Sequence, residues 1–170
     1  MTDIFKGYYR SPIGTLKIVG SRDGVSSVLF VDDVVASSDI PACLQECASQ
    51  LDDYFAARRI DFDFPLDPQG TEFQQRVWRE LRKIPFGKTV SYLDVALAVG
   101  TRESTRAVGR ANGQNPIGII VPCHRVIGRD GSLTGYGGGL WRKRWLLDFE
   151  SPARQESLFP ISVESNASRR

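Results

Sequence analysis

The 170 residues are 41% hydrophobic and 25% charged, ordinary values for one or two small globular domains, and they exclude a chain disordered throughout. The formal net charge of +2 conceals an uneven distribution: residues 1–65 hold 6 basic and 10 acidic side chains while residues 76–145 hold 13 and 4, so the second stretch suits a polyanion or presents a solvated basic face. No apolar run approaches a membrane span, no leader-like segment opens the chain, and three cysteines argue against a disulfide framework, so a cytoplasmic protein without membrane attachment is expected.

The first third reads as strands at 5–9, 16–19 and 25–31, separated by Ser11-Pro12-Ile13-Gly14 and by Arg22-Asp23-Gly24, where Asp-Gly is a hairpin signal. A loop over 32–40 leads to Pro41, which opens a helix to about residue 58 with Leu44, Cys47, Leu51, Tyr54 and Phe55 on one face. Cys43 and Cys47 on that helix suit core packing, and a single histidine without a Cys-x-x-Cys pair leaves zinc short of ligands. Residues 61–64 alternate and predict one more strand. The expected division is a supporting domain over 1–65 in which no chemistry is identifiable, a linker over 66–70, a second domain over 71–150 and a mobile polar tail over 151–170.

Thr71, with Gln74 three positions on, predicts the capping box of a helix whose apolar stripe is Phe73, Val77, Leu81 and Ile84 and which Pro85 ends. Ser91 with Asp94 predicts a second capped helix, stopped by Gly100. A third runs from Thr101 or Arg102 to Asn112, before Gly113. Two short helices around a glycine-containing turn predict a helix-turn-helix. Arg102, Arg106 and Arg110 fall at i, i+4 and i+8 as one basic stripe, leaving Ala107, Val108 and Ala111 to face the core. A DNA-docking helix and an ordinary basic hairpin both fit that pattern. Residues 117–121 predict a short buried strand, and a glycine-rich stretch at 135–139 precedes a helix over 140–150. Such glycines suit close approach of backbone to a flat ligand or a flexible connector.

The one histidine stands beside a cysteine in Pro122-Cys123-His124-Arg125-Val126. A thiol near its ordinary pKa of ~8.5 is mostly unreactive at neutral pH, and a neighbouring imidazole or cation makes the thiolate accessible. The dipeptide alone fits a nucleophile or an incidental pair in a buried strand equally well.

Its surroundings decide. Gly70-Thr71-Glu72-Phe73-Gln74 with Val77-Trp78, Ile84-Pro85 with Gly87, Ser91-Tyr92 and Arg106-Ala107-Val108-Gly109 come first. Asn115-Pro116, then Val121 through Gly128, Gly135-Tyr136 with Gly138-Gly139, and Leu146-Leu147 with Glu150 follow. In this order and spacing the chain resembles the O6-alkylguanine-DNA alkyltransferases, closely over about residues 70–150 and more loosely before that through Ser11-Pro12-Ile13-Gly14. The resemblance implies an α+β fold: a small antiparallel sheet with a helix, RNase H-like, and then a mostly helical part with the helix-turn-helix and an active-site loop.

It also implies direct-reversal DNA repair, in which the alkyl group of O6-alkylguanine, and of O4-alkylthymine, in duplex DNA passes irreversibly to Cys123, one lesion per molecule, with no cofactor and no metal. Attack on a methyl carbon needs a thiolate in line with the C–O bond and stabilisation of the departing O6. By the resemblance, His124 is the general base acting through a water, Glu150 orients its ring, Asn115 braces the site, and the Tyr92 phenol donates toward the purine. Val126, Tyr136, Gly137 and Gly138 form the wall that recognises the base. Arg106 enters the stack as the damaged nucleotide flips out, Arg102 and Arg110 are inferred to touch phosphates, and Ser91, Ala107 and Gly109 belong to the same DNA-facing surface.

Thr101-Arg102-Glu103-Ser104-Thr105 departs from the proline and small residue usual before the arginine finger, and Gly137 and Gly118 replace bulkier family residues, which suggests a roomier pocket. Two rival readings remain at this point: a non-enzymatic helix-turn-helix or alkyl-damage reader, and a cysteine hydrolase using Cys123, His124 and Glu150. In the tail, Gln155-Glu156-Ser157-Leu158-Phe159 resembles a sliding-clamp-binding peptide.

Overall fold

The computed structural model describes residues 1–32 and 39–154, so the clamp-like peptide at 155–159 lies outside the described residues. Strands β1 (Phe5–Ser11), β2 (Gly14–Gly20) and β3 (Val25–Val31) form an antiparallel sheet in that order, with Tyr8 opposite Lys17 and Ile18 opposite Val28. Leu16, Ile18, Val25 and Val28 turn inward and are buried. Pro41 precedes a 3-10 turn that runs into α1 (Gln45–Phe55), whose Cys47, Leu51 and Tyr54, with Leu44 before them, are buried as their spacing requires.

No strand forms at 61–64. The buried Gln50 side chain of α1 accepts the Asp63 N–H at 3.0 Å, so a side chain replaces the ladder partner that a strand would need, and only Leu66 bridges to Val25. The expected linker is tied down: Pro65 and Asp67 exchange backbone hydrogen bonds with Val25 at 3.0 and 2.8 Å.

Helix α2 (Glu72–Leu81) begins in a complete Thr71/Gln74 capping box, and α3 (Tyr92–Val99) in a complete Ser91/Asp94 box. Each box satisfies two N–H groups that the helix cannot. A 3-10 turn over Arg102–Ser104 leads into α4 (Thr105–Gly113), completing the helix-turn-helix. Buried Val77, Trp78 and Leu81 of α2, with Val95, Ala96 and Val99 of α3 and Val108 and Ala111 of α4, make its core. The Trp78 indole donates to the Ala111 carbonyl at 2.9 Å, fixing α2 on α4. Strand β4 (Val90–Ser91) pairs in parallel with β5 (Val126–Ile127), joining the start of α3 to the segment just after Cys123 and His124. Helix α5 (Leu140–Glu150) follows, and after Ser151 residues 152–154, the last described, are again helical. One hydrophobic cluster contains buried side chains from the sheet, α1 and the helical part alike, and no described helix is long and apolar enough to cross a membrane.

Candidate active site

Residues 117–121 do not form the expected strand. The buried Asn115 carboxamide accepts the Ile117 N–H at 3.0 Å and donates to the Val121 carbonyl at 2.8 Å, closing the segment into a loop. Ile117 alone bridges to Val28, and Ile119 takes a positive φ of 70°. For a β-branched residue that conformation is strained by about 1–3 kcal/mol, and the anchors at Asn115 and on Val28 hold it in place. The loop delivers Cys123 and His124 on a 3-10 turn, Cys123–Arg125, rather than on extended chain.

Cys123 is buried, and burial pushes its thiol pKa up; the Asn115 side chain, the Lys143 ammonium and the backbone N–H groups of Cys123 and His124 act in the opposite direction. The site is thus apolar enough to keep the thiol protonated at rest, while Asn115, Lys143 and the local backbone N–H groups favour the anion. Lys143, wholly buried on α5, spends two of its protons on the Val126 carbonyl at 2.6 Å and the Thr134 carbonyl at 3.0 Å. Burial lowers its pKa and the Cys123 charge raises it.

Glu150 ends α5 on the same face as Lys143 and is 2% exposed. Its Oε1 accepts from Tyr54 Oη at 2.7 Å, lies 2.9 Å from His124 Nε2 and accepts from Arg125 Nη2 at 2.9 Å, while Oε2 accepts from Arg125 Nε at 2.8 Å. The remaining Arg125 arm donates to the Ile84 carbonyl at 2.7 Å. Burial alone would push the carboxyl up, but His124 and the Arg125 fork outweigh it and hold Glu150 well below the usual carboxylate range. An ionised carboxylate can only accept, so His124 Nε2 must carry a proton, and the lone pair of a neutral ring is left on Nδ1. That Nδ1 is buried and has no hydrogen-bond partner among the described residues. The ring is therefore oriented to receive a proton at Nδ1.

Cys123 lines a cavity of about 260 Å³. Asn112, Asn115 and Gly118 form one side with it, Gly135 to Gly138 with Tyr136 a second, and Val28, Leu29 and Phe30 of β3 a third. The N-terminal sheet, in which the sequence shows no chemistry, is thus a wall of the pocket. Burial and the nearby Cys123 charge push the Tyr136 phenol well above its ordinary pKa, keeping it a neutral donor. Arg142 binds the parts together: it donates to the Ile13 carbonyl at 2.7 Å and the Gly138 carbonyl at 2.9 Å, with its guanidinium 4.3 Å from the Phe30 ring centre. A Cβ on Gly138 would come within 2.8 Å of Phe30 and 2.9 Å of Tyr136, whereas one on Gly137 would meet nothing.

Tyr92 stands apart from that lining: its hydroxyl donates to the Thr134 carbonyl at 3.1 Å. Val126 is fully buried behind the site and acts through its carbonyl, which holds Lys143. Arg106 and Arg110 are exposed on α4, but Arg102 sits on the preceding 3-10 turn, so the three do not form one helical stripe. Ala107 is exposed rather than in the core, because Val108 and Ala111 already fill the inner face. Ser91 caps α3, and Gly109 lies where a Cβ would stand 3.8 Å from the Tyr92 ring. From the inner face of α4, Asn112 donates to the Cys123 carbonyl at 3.4 Å. No group of three or more potential metal ligands occurs among the described residues.

Tyr54, Arg125, Lys143, Asn112, Arg142 and Phe30 were not identified as site residues from the sequence. Lys143 alone left a signal: it shares the buried face of α5 with Leu146 and Glu150, where a lysine needs carbonyls or an anion to be tolerated.

A buried thiol with a paired histidine and carboxylate beside it, in a chain that also carries a basic helix-turn-helix, fits a group-transfer protein that works on nucleic acid. The family model described as 6-O-methylguanine DNA methyltransferase, DNA binding domain, matches residues 72–152, and that described as its ribonuclease-like domain matches 4–68. The chain belongs to the 6-O-methylguanine DNA methyltransferase family. It is 48% identical over 151 residues to a methylated-DNA–protein-cysteine methyltransferase of Mycolicibacterium paratuberculosis, covering 84% of this chain and 92% of the relative. It is 47% identical over 145 residues to one of Mycobacterium tuberculosis, covering 82% and 88%. The crystal structure of the Mycobacterium tuberculosis O6-methylguanine methyltransferase superposes with a TM-score of 0.79 at 44% identity, over 87% of this chain and 93% of that one. The Mycobacterium tuberculosis protein in complex with DNA superposes with a TM-score of 0.77 at 45% identity, over 89% and 97%. DNA repair by alkyl transfer is accordingly the activity of this chain, rather than DNA reading without chemistry.

Proposed function

We propose that Cys123 is the acceptor and that it takes the alkyl group from O6-alkylguanine flipped out of duplex DNA into the cavity it lines. The observation that carries this reading is the buried thiol in a pocket of about 260 Å³ backed by a His124–Glu150 pair whose free ring nitrogen can receive the thiol proton. His124 takes that proton at Nδ1 through a bridging water. The Cys123 anion, stabilised by Asn115 and Lys143, attacks the alkyl carbon; the S–C bond forms as the C–O6 bond breaks, and its electron pair leaves on the guanine oxygen. The purine anion takes a proton at N1 from water, the proton held by His124 passes back to the bridging water and solvent, and the neutral thioether, having no good leaving group, stays. Tyr136, Gly137 and Gly138 offer the base edge and alkyl group their wall; for the Tyr92 phenol to donate toward the purine it must first give up the Thr134 carbonyl it holds at 3.1 Å.

Arg106 fills the vacated stack, with Arg102 and Arg110 on phosphates and Ser91, Ala107 and Gly109 on the same surface. Exposure of Arg106 on α4, whose inner face touches the Cys123 turn through Asn112, supports this division. Mass spectrometry after incubation with an O6-methylguanine duplex tests the reading: a single methyl gain on Cys123, absent from Cys123→Ser, is expected, and an unmodified Cys123 beside repaired DNA refutes it. The clamp-binding reading of residues 155–159 rests on sequence alone and ends if a pull-down is unchanged by Leu158→Ala and Phe159→Ala.

A further inference from the structure

We propose that Tyr54, carried by α1 in the N-terminal part of the chain, is a positioning residue for alkyl transfer, its hydroxyl holding the Glu150 oxygen that orients His124. The inference rests on the reading of Cys123, His124 and Glu150 given above.

Three groups share Glu150 Oε1: Tyr54 Oη at 2.7 Å, His124 Nε2 at 2.9 Å and Arg125 Nη2 at 2.9 Å. A carboxylate oxygen has two lone-pair directions, so three donors compete and each weakens the hold of the other two. Oε2 serves Arg125 Nε. The ionisable groups facing Glu150 come from every side: Tyr54 from α1, His124 and Arg125 from the turn at 123–125, and, more distantly, the Tyr136 phenol from the loop before α5. The Tyr54 ring is fully buried. Phe55, Phe62, Phe86 and Phe149 surround it, with centroids at 5.1, 5.6, 6.2 and 5.4 Å. The ring cannot swing away, so the hydroxyl is delivered to Oε1 from outside the helical part.

The chemical consequence concerns where the carboxylate charge is directed. With Tyr54 in place, part of the acceptor strength of Oε1 goes to the phenol. Removing that one oxygen turns the charge toward the His124 N–H, which favours the protonated ring formed when His124 takes the thiol proton. The coupled Cys123–His124–Glu150 relay then takes up its proton at higher pH.

Tyr54→Phe isolates this effect because the packed ring remains. The assay is the single-turnover rate of Cys123 alkylation by free O6-benzylguanine against pH, which removes DNA binding from the measurement. The acid-side limb of the profile should move up by about half to one pH unit, with the rate above the limb changed less than about threefold. Phe62→Leu, which loosens the same cluster without touching Glu150, should lower Tm and leave the limb in place. Replacing Tyr54 with 3-fluorotyrosine, a stronger donor on the same ring, should move the limb down. That variant also decides the question if Tyr54→Phe does not fold. A limb that stays put in the Tyr54 variants, or that moves equally in Phe62→Leu, overturns the proposal. If the unmutated protein gains no alkyl group on Cys123 from O6-benzylguanine or from an O6-methylguanine duplex, the underlying reading fails and the proposal falls with it; alkylation with an unmoved limb sinks the proposal alone.

Discussion

Arg125→Ala should be among the most damaging single changes outside the apolar core. Arg125 is 5% exposed, and its guanidinium makes two bonds to Glu150, at 2.8 and 2.9 Å, and one to the Ile84 carbonyl at 2.7 Å. Removing one partner of a buried ion pair costs about 3–5 kcal/mol, because the other charge stays buried. Orphaning the Ile84 carbonyl adds about 1–3 kcal/mol, while Tyr54 and His124, still on Glu150, offset part of the loss. A net of about 4 kcal/mol is a large share of the ~5–15 kcal/mol that stabilises a folded chain, and at about 2–4 °C per kcal/mol it lowers Tm by about 8–16 °C. Urea unfolding at neutral pH measures it, and the double variant Arg125→Met with Glu150→Gln should recover more than half of the loss, since no charge is then left buried. A cost below about 1 kcal/mol for Arg125→Ala, or no recovery in the double variant, would refute the argument that the fork, together with His124, keeps Glu150 charged inside the protein.

Further outcomes follow from other parts of the site. Arg106→Ala should impair repair of duplex lesions at least tenfold while sparing reaction with free O6-benzylguanine, and equal loss on both would remove the finger assignment. Arg102→Ala and Arg110→Ala should weaken binding to all duplexes and lower the salt slope by about one each, read from titrations at several salt concentrations. Gly138→Ala should cost about 1–3 kcal/mol and slow transfer, because its Cβ meets Phe30 and Tyr136 under 3 Å, whereas Gly137→Ala, whose Cβ meets no protein atom, should leave Tm unchanged. The Glu150 carboxyl is held below its unfolded value, so the stability it contributes is complete above the unfolded pKa of about 4.3 and disappears as pH falls toward the folded one. Glu150→Gln should therefore show a flatter loss of Tm below about pH 4.5 than the unmutated chain.

What the sequence reveals is what neighbours decide. Thr71 with Gln74 and Ser91 with Asp94 each contain a whole capping box within four residues, and α2 and α3 start where those boxes put them. The span of α5 was legible for the same reason, lying between a run of glycines and Ser151. Residues 117–121 read as a strand because they are apolar and β-branched; nothing local says that the Asn115 side chain will occupy their hydrogen-bonding groups and turn them at Ile119. The same holds at 61–64 with Gln50. In the site, Cys123 and His124 announce themselves as adjacent reactive groups. Tyr54 lies 96 residues from Glu150 and Phe30 lies 108 residues before Gly138, separations at which only the packed chain reveals a shared purpose.

Leu29 and Phe30 line the same cavity as Cys123, and Arg142 ties the glycine-rich loop to the Ile13 carbonyl, so the sheet supplies part of the wall of the proposed substrate pocket. A chimaera that grafts residues 1–68 of a relative onto this helical part would inherit the donor's tolerance for bulky O6 substituents along with its strands. Selection for altered acceptance of O6 substituents has ground to explore at positions 29 and 30, which line the cavity without touching His124 or Glu150.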